Sequence, residues 1–396
     1  MSDLIARLNS PAPPHTSPAK RTAAPSGFKY EWDGKHGHIE TGPLTQRPRT
    51  WDAFIRDAGL DPDEVEVEEP VQVRGWDAPA PNGTVVKMHY YRLQVRRYRV
   101  KQDLEVLVKA ARSRRKAKPP EDVTAAEQSD RAYVIALGDL QLGKVDGDGV
   151  EGTVDRFLST TAEAIDRYKR VAKGLPIYLF HLGDCIEGFQ SQGGANAWRT
   201  TLTTTEQVRL YRRLLIEQVK ELSQVTSRLV VAGVPGNHDE AHRPLHTYGD
   251  SWAIDAMAAV RDALDLAGDA YSHVTMHTPA RDELTLTFDV AGTKVGLAHG
   301  HQWRPGQAET WWARQSHGRQ PIGDADVLLS AHLHHLRIVD SGVKTWIQVP
   351  ALEQESTWWR HATGEVARPG IVTMLVGGGT WRSPEVLTGA PQAVTA

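Results

Sequence analysis

Apolar residues in this chain fall in short runs that stop on polar turn formers. The runs AYVIAL, IYLF and LVVAGV end close to Gly138-Asp139, Gly183-Asp184 and Gly236-Asn237. Runs this short, bounded by glycine, predict buried strands. Between them, Val154, Phe157, Leu158, Thr161, Ile165 and Tyr168 recur at helical spacing, as do Val208, Tyr211, Leu215, Val219 and Leu222. Strand, helix, strand, helix, strand predicts right-handed crossovers and a largely parallel sheet covered on both faces. Further on, ELTLTFDVAGTKVGLAHGH predicts two strands around a turn. DVLLSAHLHH, KTWIQVPAL and GIVTMLVGGGTW predict more strands. This α/β domain is expected over residues 131–390.

Upstream the texture changes. Residues 1–49 are rich in Pro, Ser, Thr, Lys and His. They offer too little apolar surface to offset the entropy of ordering, so a disordered tail is expected. TWDAFIRDAGLDPDE predicts a short helix capped by Thr50 or Asp52 and stopped at Gly59. VQVRGWDAPAPNGTVVKMHYYRLQVRRYRV predicts strands around an Asn82-Gly83 turn. Together they make a small α+β unit over residues 50–100. It is a candidate surface for a partner subunit, a second copy of the chain or DNA. Residues 101–130, charged and interrupted by proline, are expected to be a linker.

Composition narrows the class. The chain has 396 residues, 40 % of them hydrophobic, which suits one large or two moderate globular cores. Its net charge of -3 argues against a strongly basic nucleic-acid coat protein and leaves room for a local basic groove. The single cysteine, Cys185, excludes an internal disulfide and suits a reducing compartment. Neither a signal-peptide core nor an apolar run of membrane-spanning length is present. A cytoplasmic protein with no membrane partner is therefore expected.

The chemistry sits where the strands end. In order, the clusters are GDLQLG (Asp139, Gln141), GDCIEG (Asp184, Glu187), GNHDE (Asn237, His238, Asp239), AHGHQW (His299, His301) and SAHLHH (His332, His334). A single Gly-Asp after a strand is an ordinary turn, and a single histidine there is ordinarily just hydrogen-bonded. Five consecutive strand ends carrying only Asp, Asn, Gln and His as ligand types are not explained by turns. In an α/β sheet such ends converge on one edge. Burying so many polar groups together is costly without cations to pair them. Carboxylate, amide oxygen and imidazole suit Mn, Fe, Zn, Co or Ni, and no thiolate is needed. Cys185, beside Asp184, reads as a small buried filler.

The order D-x-Q, GDxxE, GNHD, H-G-H, H-x-H resembles the calcineurin-like metallophosphoesterase superfamily, from Asp139 to His334. The resemblance implies a four-layer αββα sandwich with two divalent ions, Mn foremost, at one edge. It implies that Asp139, Gln141, Asp184 and His334 hold a first ion, with Asp184 bridging to a second. Asn237, His299 and His332 hold that second ion. His238 would bind the phosphoryl oxygen or protonate the leaving group, and Asp239 would orient His238. Gln141 departs from the histidine usual at its position and gives a weaker, neutral ligand. Ala331 stands where glycine is usual. His301 and His335 are extra imidazoles, expected beside the ligand set.

Within the superfamily, the chain looks most like the SbcD-type DNA-repair nuclease branch and its phage and actinobacterial relatives. The expected activity is phosphodiester hydrolysis by a DNA exo- or endonuclease. A cyclic-nucleotide or small-molecule phosphodiesterase or phosphatase is the alternative, and a non-catalytic scaffold the second alternative. Trp303, Trp311, Trp312, Trp358 and Trp359 are interleaved with Arg304, Arg314, Arg319 and Arg360. Aromatics with guanidinium groups can stack bases and pair phosphates. The same tryptophans would serve equally as core or as a loop cap.

Overall fold

Alternation in the first hundred residues builds an antiparallel sheet. Strands β1 (Phe28–Trp32), β2 (His36–Thr41), β3 (Val65–Pro79) and β4 (Val85–Arg97) pair in the order β1-β2-β4-β3. Helix α1 (Trp51–Asp57) is capped by Thr50, whose hydroxyl accepts from the Ala53 N–H at 3.1 Å. Phe54 and Ala58 join Ile39, Val65, Tyr91, Leu93 and Val95 in one small core. Strands β1 and β2 correct the expected disordered tail. From Gly37 to Thr41 in β2, Gly37, Ile39 and Thr41 are buried, at every second position. A sheet with one buried face needs no more than that, so composition alone conceals it.

The computed structural model describes residues 28–32, 36–60, 62, 65–80, 83–97, 104–110, 129–189, 200–241, 250–354, 360, 364 and 366–389. They divide into two units, Met1–Val100 and Lys101–Ala396. Residues 1–27 of the expected tail lie outside the described residues. Among the described residues, no helix is long and apolar enough to cross a membrane.

The second unit opens with helix α2 (Leu104–Ala110), inside the stretch expected to be a linker. Its Leu104, Leu107 and Val108 are buried in the main core, and Glu105 pairs with Arg209 at 2.7 Å. Three apolar residues on one face of a seven-residue helix are enough to dock it, and the surrounding charge hides them.

The runs read from the sequence become β5 (Ala132–Leu137), β6 (Ile177–His181) and β7 (Leu229–Gly233). Between them run helices α3 (Gly149–Val171) and α4 (Thr204–Ser223). Helix α5 (Trp252–Leu266) leads to β8 (Val274–His277). A second sheet holds β9 (Leu286–Val290) and β10 (Thr293–Leu297), then β11 (Val327–Ser330), β12 (Arg337–Asp340) and β13 (Thr345–Gln348). Helix α6 (Ala308–His317) lies between β10 and β11. The chain returns to the first sheet as β14 (Ile371–Gly377) and β15 (Thr380–Leu387). Strand orders are β15-β14-β5-β6-β7-β8 and β12-β13-β11-β10-β9, with β5 to β8 mutually parallel.

Side-chain alternation sorts the layers. Val134, Phe180, Val230 and Met374 from one sheet meet Val295, Leu297, Leu329 and Ile347 from the other. The opposite face of the first sheet (Tyr133, Ile135, Leu179, Val231) packs under α3, α4 and α5. The outer face of the second sheet packs Leu328 and Trp346 against Trp312 and Trp303. The fold is therefore the expected four-layer αββα sandwich.

That outer layer corrects the reading of the tryptophans as a nucleic-acid rim. Trp303 and Trp312 are buried core residues, and Trp311 packs partly buried against Trp303 with ring centroids 4.6 Å apart. The Trp312 indole N–H donates to the Ile322 carbonyl at 2.7 Å. Trp358 and Trp359 lie outside the described residues. Arg304, Arg314, Arg319 and Arg360 are exposed.

Two outcomes follow from this packing. Trp312→Ala should lower unfolding free energy in urea by about 3–5 kcal/mol, the scale for removing a buried aromatic; a change under 1 kcal/mol would mean that the ring is not core. The second concerns His181, whose Nδ1 lies 3.1 Å from the Tyr211 hydroxyl and whose Nε2 lies 2.9 Å from Gln218 Oε1. Burial pushes its pKa from 6.5 down to about 4, against the Gln218 hydrogen bond, which raises it. Between those values the unfolded chain binds a proton that the folded chain does not, so stability rises with pH across that window and is lost as pH falls through it. Urea titrations from pH 4 to 6.5 should show His181→Gln with a shallower slope than the wild type.

Candidate metal centre

Every motif residue sits just past the carboxyl end of a strand. Asp139 and Gln141 follow β5, Asp184 and Glu187 follow β6, and Asn237, His238 and Asp239 follow β7. From the second sheet, His299 and His301 follow β10, and His332 and His334 follow β11. The backbone there is strained. Eight non-glycine residues among those described have positive φ, and five of them are Asp139, Gln141, Asp184, His332 and His334. Such conformations cost on the order of 1–3 kcal/mol each and persist where the surroundings dictate them. Concentrated on the proposed ligands, they mark side chains aimed for a purpose other than stability.

Close approach of the loops demands glycine. A Cβ on Gly236 would lie 2.1 Å from Asp184 Oδ1, and one on Gly183 would lie 2.7 Å from the Gly236 nitrogen. Asp239 then ties the two loops together. Its Oδ2 accepts the N–H groups of Asp184 (2.8 Å) and Gly236 (2.9 Å). Its Oδ1 accepts those of Cys185 (2.9 Å) and Ile186 (3.2 Å). Burial and the Asp184 charge push Asp239 up to about 6, so it is ionised at neutral pH, as four donors require.

This overturns one expected role. Asp239 holds the backbone of the Asp184 loop and does not orient His238. His238 Nδ1 instead hydrogen-bonds the Glu187 carbonyl at 2.9 Å, with Glu187 Oε2 at 3.6 Å. Burial raises the Glu187 carboxyl to about 7, against the pull of His238. Cys185 is buried, as expected of a filler.

Around Asp184 the ligands converge. One ligand atom each from Asp184, His299 and His332 lies within 4.8 Å of the others. Asp184 Oδ1 accepts the His238 backbone N–H at 2.8 Å, and Oδ2 lies 3.1 Å from His299 Nε2. The His299 Nδ1–H donates to the Leu182 carbonyl at 2.6 Å, which turns Nε2 toward the site. Burial opposes ionisation of Asp184, but attraction to His299 and His238 holds it well below the usual carboxylate range. Burial pulls His299 down, but Asp184 wins and raises it to about 9. Burial and the His299 charge push His332 down to about 4, leaving a neutral imidazole.

Asp139 faces the same space. Its Oδ2 accepts the His332 N–H at 2.8 Å, and its Oδ1 lies 3.7 Å from His334 Nε2. Among the described residues, the buried Asp139 Oδ1 and Asn237 Oδ1 have no hydrogen-bond partner, and His299 Nε2 faces Asp184 Oδ2 at 3.1 Å. Each is the donor atom its residue would offer a cation. Native structures rarely bury such atoms unpaired, and a bound cation would pair them. The donors present therefore fit divalent metal. Asp184, His299 and His332 suit one ion, and Asp139 Oδ1 and His334 Nε2 lie 3.7 Å apart beside them. His301 lies close to the set, its ring centroid 5.4 Å from that of His299.

Two residues at the site carry no motif signal. Glu353, from the loop after β13, places Oε1 3.0 Å from His334 Nδ1 and Oε2 2.7 Å from Lys144 Nζ. Lys144 also donates to Gln141 Oε1 at 3.3 Å. A lone glutamate in a loop and a lone lysine after a turn have no pattern that separates them from surface residues.

No protein-family model and no curated protein matches the chain. Solved structures do match. Vacuolar protein sorting 29 from Cryptosporidium parvum is 16 % identical over 65 % of this chain and 98 % of its own, with a TM-score of 0.31. An archaeal phosphodiesterase is 12 % identical over 64 % of this chain and 99 % of its own, with a TM-score of 0.31. A Streptococcus pneumoniae protein described as a predicted phosphoesterase is 13 % identical over 62 % of this chain and 83 % of its own, with a TM-score of 0.25.

Asp239 provides a test of the loop geometry. Asp239→Ala strands four buried N–H groups, at about 1–3 kcal/mol each. It should lower both thermal stability and the affinity for Mn²⁺ measured by calorimetry. Intact metal affinity with only turnover impaired would restore the role of orienting His238.

Proposed function

We propose that the protein is a metal-dependent phosphoesterase of the calcineurin-like kind that hydrolyses phosphodiesters, with DNA as the diester. The observation that carries this is the convergence of Asp184, His299 and His332, with Asp139 Oδ1 and Asn237 Oδ1 buried and unpartnered beside them. Oxygen and imidazole donors without thiolate favour Mn²⁺ or a similar ion. Bound divalent ions supply charge neutralisation at the phosphoryl group and an activated water.

The chain supplies the rest. Asp184 would bridge the two ions, its ionised form held by His238 N–H and His299. His238 is buried with its Nδ1–H donating to the Glu187 carbonyl; as the imidazolium it would hand its Nε2 proton to the leaving alkoxide and be left as the neutral ring. No serine or cysteine nucleophile is required. The exposed cations Arg304, Arg314 and Arg360 and the sequence resemblance support DNA; the tryptophans, being core, do not. A chain of net charge -3 should bind DNA in a strongly salt-sensitive way.

The test is a Mn²⁺-supplemented panel of single- and double-stranded DNA, cyclic nucleotides, bis(p-nitrophenyl) phosphate and a phosphomonoester. Turnover should be abolished by chelation and restored by Mn²⁺. Asp184→Ala should lose both metal and turnover. His238→Ala should keep the metal and lose about 10²–10⁴-fold in rate, the scale of a general acid. Cleavage of cyclic nucleotides or monoesters with DNA left intact would overturn the DNA assignment. Absence of ion binding in millimolar Mn²⁺ would leave a scaffold.

A further inference from the structure

The two groups of ligands are not equivalent. Around His299 and His332, among the described residues, no lysine or arginine contacts a ligand atom. The group around Asp139 differs. Lys144 Nζ lies 3.3 Å from Gln141 Oε1, the oxygen that would face the ion. The same ammonium lies 2.7 Å from Glu353 Oε2, and Glu353 Oε1 lies 3.0 Å from His334 Nδ1. A single chain of contacts therefore runs from Gln141 through Lys144 and Glu353 to His334. It joins the two ligands that Asp139 and Asp184 would need to complete their set. Lys144 and Glu353 are both largely shielded from water, with side chains 15 % and 2 % exposed.

A lysine ammonium is a compact point charge. Placed on the ligand oxygen of a cation site, it acts in two ways. It occupies a lone pair of an already weak, neutral ligand. It also repels the incoming ion through partly buried surroundings, where charges screen each other poorly. Glu353 works in the opposite sense. It cancels the Lys144 charge and holds His334 by Nδ1, leaving Nε2 toward Asp139, as carboxylates behind metal-binding imidazoles do.

We infer that the Lys144–Glu353 pair sets the affinity of the Asp139 group, making it the weaker of two ion sites and the one filled second. Resting on the metal-centre reading above, this makes Lys144 and Glu353 positioning residues for Gln141 and His334. Full occupancy then depends on free metal concentration, with the Asp184, Asn237, His299 and His332 group filled first.

Isothermal titration of the full chain with Mn²⁺, checked by electron paramagnetic resonance of free Mn²⁺, tests it without reference to turnover. The wild type should bind two ions with dissociation constants at least about tenfold apart. Lys144→Met should tighten the weaker ion by about tenfold or more, since the charge leaves and Gln141 is released. Lys144→Gln, which can still donate to Glu353, should do the same if the methionine variant folds poorly by circular dichroism. Glu353→Gln, which can still accept from His334, should weaken that ion further because Lys144 is no longer neutralised. Opposite signs for the two positions are the signature of charge; a purely structural pair would weaken binding from either side. Two ions of equal affinity, unmoved by the Lys144 variants, would overturn the inference while leaving the metal centre intact. Absence of binding in every variant would overturn both.

Discussion

Two buried carboxylates, Asp139 and Asp184, one of them with an oxygen left unpartnered among the described residues, are the constraint on which the rest of this structure depends. Asp139 and Asp184 are at most 1 % exposed, and the histidines around them satisfy only part of their hydrogen-bonding capacity. Burying an ionised carboxylate costs several kcal/mol even after relaxation. Five left-handed ligand residues add to that cost. The sandwich tolerates the burden because two sheets supply large apolar layers on both sides, with the polar cluster confined to the strand ends. Asp239 makes the arrangement rigid by accepting four backbone N–H groups from the loops that carry Asp184 and His238.

The division of roles among the acidic residues follows from what each carboxylate touches. Asp239 touches backbone only and builds the loops. Glu187 and its carbonyl hold His238. Glu353 holds His334 and Lys144. Asp139 and Asp184 are left with oxygens or neighbours suited to a cation. The same sequence letters thus serve scaffold, positioning and ligand roles, and hydrogen-bond geometry separates them.

Much of this was legible in the sequence. Strands β5, β6, β7 and β14 and the β9–β10 hairpin are short apolar runs that stop close to glycine. The ligands are legible because each sits at the polar end of such a run, as Asp184, His299 and His332 do. Other features were not legible. Strands β1 and β2 bury only alternate residues, and α2 docks with three. The tryptophans sit beside arginines in sequence, yet Trp303 and Trp312 point into the outer layer while the arginines point away. Which way a helix turns its face depends on the sheet it packs on, and adjacency in the chain does not encode that. Lys144 and Glu353 meet only because loops after β5 and β13 converge, a contact 209 positions long that no local pattern announces.

If the buried carboxylates and imidazoles hold cations, those cations can be seen directly. The most direct measurement is an anomalous difference map from crystals grown in Mn²⁺, recorded above and below the manganese absorption edge. A peak enclosed by Asp184, Asn237, His299 and His332 is expected, with a weaker peak beside Asp139 and His334. A featureless map at this edge, with the crystals grown in millimolar Mn²⁺, would contradict cation binding there.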